Sequence, residues 1–256
     1  MIKRIYIHLM ICLLILAGCS SNNDSSKQIK LTISAASSMT ESLIKLKEDF
    51  EREYPTIDIS YNFGGSGSLR KQIEQGAPIN LFLSASNTDY EKLVDQNMVE
   101  GTAILTNEIA LILSNEINPP SFDKFLKGDG TLAIGTPEAV PAGTYSKEIL
   151  QNLGVWDVLQ DRMIYTKDVS QVVTLVSQGA AGAGMVYASD IIDVENVTHV
   201  ETFDSSLHAP IEYFAAIIKN EEQSEDVKEA IDVFYQFIQA EEANHVFKKY
   251  RFQTVK

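Results

Sequence analysis

From Ile29 onward the sequence alternates short apolar runs with amphipathic stretches at helical spacing, and this rhythm constrains the fold more than any other feature. Residues 31–34 read as a strand. Met39, Leu43, Leu46 and Phe50 follow at i, i+4, i+7 and i+11, which is one face of a helix. Residues 57–63 alternate as a second strand, 64–68 (GGSGS) form a turn, and a helix begins at Leu69. Leu81–Ser84 is a strand with a helix over 90–96 behind it. The unit recurs at Leu132–Gly135 with a helix over 145–153, and again at 163–165 with Val169, Val172, Val173 and Val176 on one helical face. Residues 184–187 make a further strand. Strands joined by helices predict largely parallel sheets covered on both faces. In a chain of 256 residues this is expected to give two linked α/β lobes rather than one sheet. The crossings are placed at 106–110 and 203–210, so that residues 29–108 and 208–256 form one lobe and 109–207 the other. A helical tail is expected after Ser224, with Val227, Ala230, Ile231 and Phe234 on its apolar face.

The N-terminus reads as an export signal. Lys3 and Arg4 precede an apolar run from Ile5 to Ala17 that is broken only by His8 and is too short for a stable span. The run ends in Leu16-Ala17-Gly18-Cys19, which resembles a bacterial lipobox. In such signals residues 1–18 are removed and the cysteine is lipidated, so Cys19 is expected to become the anchored first residue. Residues 19–28 are small and polar and read as a flexible tether. Removal of 1–18 takes Lys3 and Arg4 and no acid, leaving 35 acids against 19 bases, a charge of −16. That balance argues against a nucleic-acid partner, because phosphate backbones require a basic stripe. Cys12 and Cys19 are the two cysteines, so no structural disulfide and no cysteine-based zinc site is available to the mature chain.

In open α/β sheets ligands bind beyond the carboxyl ends of the strands, where helices begin. Four such turns stand out. Residues 34–40 (SAASSMT) carry Ser38 near a helix N-cap, and Ser66 holds the same place after the second strand. Residues 140–145 (VPAGTY) open a third helix with Pro141 at its start, and 167–170 (KDVS) open a fourth with Asp168 as its cap. Hydroxyls and unpaired N–H groups at helix starts favour an anion. Neither of the first two turns contains Lys or Arg, which suits a dehydrated oxyanion held by neutral dipoles. Single Ser or Thr caps are commonplace, so the expectation rests on the set of four turns.

Signals for an enzyme are weak. Ser66 has Gly64 two residues before it but Ser68 two residues after, which breaks the G-x-S-x-G elbow. Residues 64–71 do not match a phosphate-binding P-loop. His199, His208 and His245 lack metal-ligand spacing, and a serine hydrolase using His208 is the weaker alternative from a different functional class.

Taken together, these turns identify a family resemblance. LTISAASSMTESL (31–43), SLRKQIEQGAPINLFLSAS (68–86), LAIGTPEAVPAGTYSKEILQNLGVWD (132–157), KDVSQVVTLVSQGAAGAGMVYASD (167–190) and VFKKYRFQ (246–253) resemble the molybdate-binding proteins that serve ABC importers. The resemblance implies a two-lobed periplasmic-binding-protein fold of type II with the ligand in the cleft. It implies a molybdate or tungstate site made by Ser38, Ser66, the backbone amides of Ala142 and Val169, and the phenol of Tyr187. It also implies a lipid-anchored, exported, monomeric carrier with a membrane permease as partner, no cofactor, no enzymatic activity and no metal held by direct coordination. A binding protein for another tetrahedral oxyanion, such as sulfate or phosphate, is the alternative within that class. The GGSGS turn departs from the more serine-rich turn of relatives and leaves Ser66 and Ser68 as competing ligands.

Overall fold

A computed structural model describes residues 28–115, 117, 120–192 and 194–255. The expected signal sequence, Cys19 and the tether up to Lys27 lie outside the described residues. The chain opens with β1 (Ile29–Ala36), a 3-10 turn (Ser37–Met39) and α1 (Thr40–Glu53), followed by β2 (Ile57–Gly64), α2 (Ser66–Glu74), β3 (Leu81–Ser84), α3 (Asn87–Asp95) and β4 (Val99–Thr106). It continues through β5 (Ile109–Ser114), α4 (Phe122–Lys127), β6 (Leu132–Gly135), α5 (Pro141–Asn152), α6 (Trp156–Leu159), β7 (Met163–Thr166), α7 (Val169–Ser177), β8 (Ala183–Tyr187), a 3-10 turn (Ala188–Ile191) and β9 (Val197–Thr202). It closes with β10 (Glu212–Ile218), α8 (Glu225–Phe237), α9 (Glu241–Lys249) and β11 (Gln253–Thr254).

The strands form two sheets, ordered β11-β4-β10-β3-β1-β2 and β7-β6-β8-β5-β9. β1 runs parallel to β2 and β3, and β6 runs parallel to β7 and β8, as the strand–helix alternation predicts. One strand in the interior of each sheet runs the other way. β10 is antiparallel to both β3 and β4, and β5 is antiparallel to both β8 and β9. These two strands arrive directly from the opposite sheet, without a helical crossover of their own. The rule that parallel neighbours need a crossover connection therefore does not govern them. The two-residue link Asn107-Glu108 carries the chain from β4 to β5, and the segment between Thr202 and Glu212 brings it back.

The amphipathic faces expected from the sequence point inward. Met39, Leu43, Leu46 and Phe50 are buried under the first sheet. Phe50 packs its ring against Tyr54, Phe234 and Phe237, tying α1 to α8. Val169, Val172 and Val176 of α7, and Ala230, Ile231 and Phe234 of α8, are likewise buried. The helices begin earlier than periodicity alone indicates. A polar cap and a proline extend two of them upstream: Ser86 Oγ accepts from Asp89 N at 3.1 Å, and Pro141 takes the first position of α5. The helices α4, α6 and α9 and the strands β4, β9 and β11 are not marked by the periodicities that place the elements named above.

Register brings the strand ends level. The β1–β2 pairing runs from Ile29 opposite Ile57 to Ala36 opposite Gly64, so both strands finish at the same height. In the second sheet Gly135 lies opposite Thr166 in the same way. α5 lies so close to β6 that a Cβ on Gly143 would stand 1.9 Å from the carbonyl oxygen of Gly135. That approach positions the start of α5, so glycine is required there for lack of space. Gly143→Ala is expected to destabilise the fold by at least about 1–3 kcal/mol. Gly128→Ala, where a Cβ would meet nothing nearer than 3.5 Å, should stay within roughly 1 kcal/mol of the wild type. Urea unfolding of the two variants checks this; equal stabilities would contradict the close approach.

Candidate functional site

The carboxyl ends of β1, β2 and β3 face those of β6, β7 and β8 across a narrow space. Ser38, Ser66, Ala142, Val169 and Tyr187 all line it. Ser68 does not, and the structure thus separates the two serines of the GGSGS turn. Ser66 is the first residue of α2 and Val169 the first of α7. Ala142 is the second residue of α5, but Pro141 before it has no N–H, so Ala142 carries the first amide of that helix. Ser38 lies inside the 3-10 turn that leads into α1. The opening amides of a helix have no partner within it, and the positive ends of the helix dipoles point the same way. Among the residues lining the space there is no charged side chain.

The two serine hydroxyls are held by specific contacts. Ser66 is wholly buried, and its Oγ accepts from Ala85 N at 3.0 Å, which leaves its own proton free to be donated. Ser38 Oγ lies 2.9 Å from Tyr213 Oη. Tyr187 is buried at the end of β8, and its phenol oxygen has no hydrogen-bond partner in place. The ring of Tyr213 stands edge-on beside it, with centroids 5.7 Å apart. Burial first, and the neighbouring Tyr213 next, push the Tyr187 phenol well above its usual range, so it keeps its proton. A buried hydroxyl left unpaired is costly, and one aimed into a polar space marks a place for an acceptor. Tyr61 Oη and His208 Nε2 are also buried and unpaired, but neither lines this space.

The two sheets touch beside the site. Gly67 N donates to Ala139 O at 3.2 Å, and a Cβ on Gly67 would lie 2.9 Å from that same oxygen. The glycines in the turn where this sequence departs from a serine-rich pattern thus allow the backbone of α2 to meet the loop before α5. Asp168, expected as a cap, does cap α7: its Oδ1 accepts from Gln171 N at 3.0 Å. His208 contacts Ala209 O and the ring of Tyr145, away from Ser38 and Ser66. Among the described residues no group of three or more His, Cys, Asp or Glu side chains could hold a metal ion. Among them, too, no helix is long and apolar enough to cross a membrane.

Comparison with known proteins gives the family. Residues 31–253 match the bacterial extracellular solute-binding protein family. The chain belongs to that family. This solute-binding protein is 39% identical over 256 residues to a protein of Bacillus subtilis (strain 168) named "Putative ABC transporter substrate-binding lipoprotein YvgL", covering 97% of this chain and 96% of the relative. It is 31% identical over 246 residues to the molybdate-binding protein ModA of Escherichia coli (strain K12), covering 92% of this chain and 93% of the relative. Among solved structures, the periplasmic molybdate-binding protein of Azotobacter vinelandii shares its fold with a TM-score of 0.76 at 24% identity, covering 88% of this chain and all of the other. The fold is thus the two-lobed periplasmic-binding-protein fold, each sheet flanked by helices.

Helix starts in the sequence point to Ser38, Ser66 and the turns over 140–145 and 167–170, within which the family resemblance singles out Ala142 and Val169. Tyr187 follows only from the family resemblance, because a buried aromatic at a strand end otherwise reads as core. Three residues around Ser38 leave no such signal in the sequence. Tyr213 lies in β10, Asn107 in the link between the sheets and Ser189 in the turn after β8. No local pattern brings residues this far apart in sequence together.

Asp190, in that same turn, accepts from Tyr187 N at 2.9 Å. As a residue it is half-buried, but desolvation of its carboxylate raises its pKa to about 7, the hydrogen bond from Tyr187 N opposing this only in part. The folded protein of this solute-binding family therefore holds a proton there that the unfolded chain releases near pH 4. Stability from this group is greatest below that value and falls as pH rises to about 7. Asp190→Asn keeps an acceptor for Tyr187 N and removes the titration. The variant should gain on the wild type between pH 4 and 8 by on the order of a few kcal/mol. Denaturant unfolding across that range is the measurement, and an unchanged pH slope would contradict it.

Proposed function

We propose that this protein captures molybdate or tungstate outside the cytoplasm and delivers it to an ABC permease in the membrane. In this reading Cys19 carries the lipid anchor and residues 19–28 form a tether. Residues 29–108 with 208–256, and residues 109–207, act as two lobes that close on the ligand. Ser38 and Ser66 donate hydroxyl hydrogen bonds, Ala142 and Val169 donate backbone amides, and Tyr187 donates its phenol. The protein works as a monomer and carries out no chemistry on the anion.

The observation that carries the reading is a space lined by donors from both sheets, without charged side chains, into which a buried and unpaired tyrosine hydroxyl is set. Such a lining suits a fully ionised tetrahedral oxyanion and offers no carboxylate acceptor to a protonated one. The names of the Escherichia coli and Azotobacter vinelandii relatives supply the choice of molybdate. The name of the Bacillus subtilis relative supports the lipid anchor and the transporter partner. Size should then select within the class. A smaller anion such as sulfate cannot reach donors fixed on two lobes at once, and unmet buried donors are costly. Ligand stabilises the closed arrangement by binding it more tightly than an open one.

Calorimetric titration of the soluble domain with molybdate, tungstate, sulfate and phosphate tests this directly. Molybdate and tungstate should bind well ahead of the other two, and sulfate bound as tightly as molybdate would overturn the size argument. Ser38→Ala, Ser66→Ala and Tyr187→Phe should each weaken molybdate binding by about 1.5–3 kcal/mol, roughly ten- to a hundredfold, while Ser68→Ala should do much less. For the anchor, mass spectrometry of the membrane fraction should find lipid on Cys19, and Cys19→Ala should abolish it. An unmodified Cys19 in membrane-bound mature protein would rule the anchor out.

A further inference from the structure

Ser38 is backed by a directed chain of hydrogen bonds. Asn107 Oδ1 accepts from Glu108 N at 2.9 Å, which fixes the orientation of the amide and leaves Nδ2 as the donor end. Nδ2 spends its two hydrogens on Ser189 Oγ at 2.8 Å and on Tyr213 Oη at 3.2 Å. Tyr213 is wholly buried, and its oxygen, having accepted from Asn107, has one proton to give. Ser38 Oγ, 2.9 Å away, is in reach to take it. The Ser38 oxygen then receives a proton from behind, and its own proton is left to point into the space it lines. Burial holds the Tyr213 phenol well above its usual range, so the proton this chain needs is present at any working pH.

We propose that Tyr213, oriented by Asn107, is a positioning and specificity residue that biases Ser38 to donate toward the bound oxyanion. Without the constraint a serine hydroxyl can rotate and serve as donor or acceptor. With it, one lone pair of Ser38 Oγ is taken and the rotation of its hydroxyl restricted, so donating to the anion is favoured over accepting from a protonated one. Hydrogenphosphate is disfavoured by a hydrogen-bond polarity set outside the ligand's contact shell. Asn107 lies on one crossing between the sheets and Ser189 follows Tyr187, so the same amide ties the orientation of Ser38 to the lobe that carries Tyr187. The proposal rests on the reading of Ser38 as a ligand.

A double-mutant cycle tests it. Wild type, Ser38→Ala, Tyr213→Phe and the double variant are titrated with molybdate and with phosphate, with apo thermal unfolding recorded to establish that each is folded. Tyr213→Phe is expected to lose roughly tenfold in molybdate affinity and to narrow the molybdate-to-phosphate ratio. A loss of packing alone would weaken both anions alike. In the Ser38→Ala background the Tyr213→Phe change should cost less than about twofold more, because it acts only through Ser38. Asn107→Asp provides a second route, since it keeps an acceptor for Glu108 N but replaces the donor facing Tyr213. The chain then reverses, and the loss should equal or exceed that of Ser38→Ala.

Additive losses, or Tyr213→Phe without effect on either anion, would overturn the proposal. Ser38→Ala binding as wild type does would overturn it too, while leaving the function standing if wild type binds molybdate. Wild type that prefers another tetrahedral oxyanion would refute the molybdate reading, and the cycle run on that anion would still decide the role of Tyr213. Wild type that binds none would overturn both.

Discussion

Hydrogen-bond donors without acceptors are what the rest of this structure is arranged around. Three α-helices and a 3-10 turn begin at one small space, and each brings amides that no helix can satisfy internally. Proline at the start of α5 and glycine at the approach to β6 bring the Ala142 amide to the front. Level strand ends in the two sheets set the turns at the same height. Taken singly each device is an ordinary helix start. Converging on one point, with a wholly buried serine and an unpaired buried tyrosine, they form a surface complementary to negative charge. The acidic composition of the chain is no obstacle, because local dipoles at contact distance outweigh a global field screened within about 10 Å at ordinary salt.

The connections between the sheets matter as much as the sheets. The chain crosses through Asn107-Glu108 and returns before β10, and the two strands that follow these crossings are the antiparallel interior strands. Asn107 and Tyr213 therefore sit where the sheets join and also behind Ser38. On the far side of the site Gly67 meets Ala139 backbone to backbone. A ligand held from both sheets would be coupled to their relative position through these contacts, which is what population shift between open and closed forms requires.

Much of this is legible in the sequence. The strand–helix alternation sets the fold class, and the spacing of Met39, Leu43, Leu46 and Phe50 by itself marks a face that is buried in the fold. Ser38, Ser66 and the turns that carry Ala142 and Val169 follow from a rule about helix starts, and all four residues line the space. What the pattern misses is non-local. The reversed direction of β10 depends on where the chain has been, and Tyr213 meets Ser38 across 175 positions of sequence. Tyr187 looks like a core residue because, by burial, it is one; only its unpaired oxygen, a property of the three-dimensional packing, sets it apart. Helix boundaries shift for a simpler reason: a cap such as Ser86, or a proline at the first helical position such as Pro141, starts a helix ahead of the apolar residues that mark its face.

The most direct test of the central claim is a crystal of the protein grown with molybdate, with diffraction recorded at the molybdenum absorption edge. One strong anomalous peak is expected between the two sheets, with Ser38 Oγ, Ser66 Oγ, the amides of Ala142 and Val169, and Tyr187 Oη all within hydrogen-bond distance of the surrounding oxygens. A peak elsewhere on the molecule, or one in the cleft that leaves the Tyr187 hydroxyl unpaired, would contradict it.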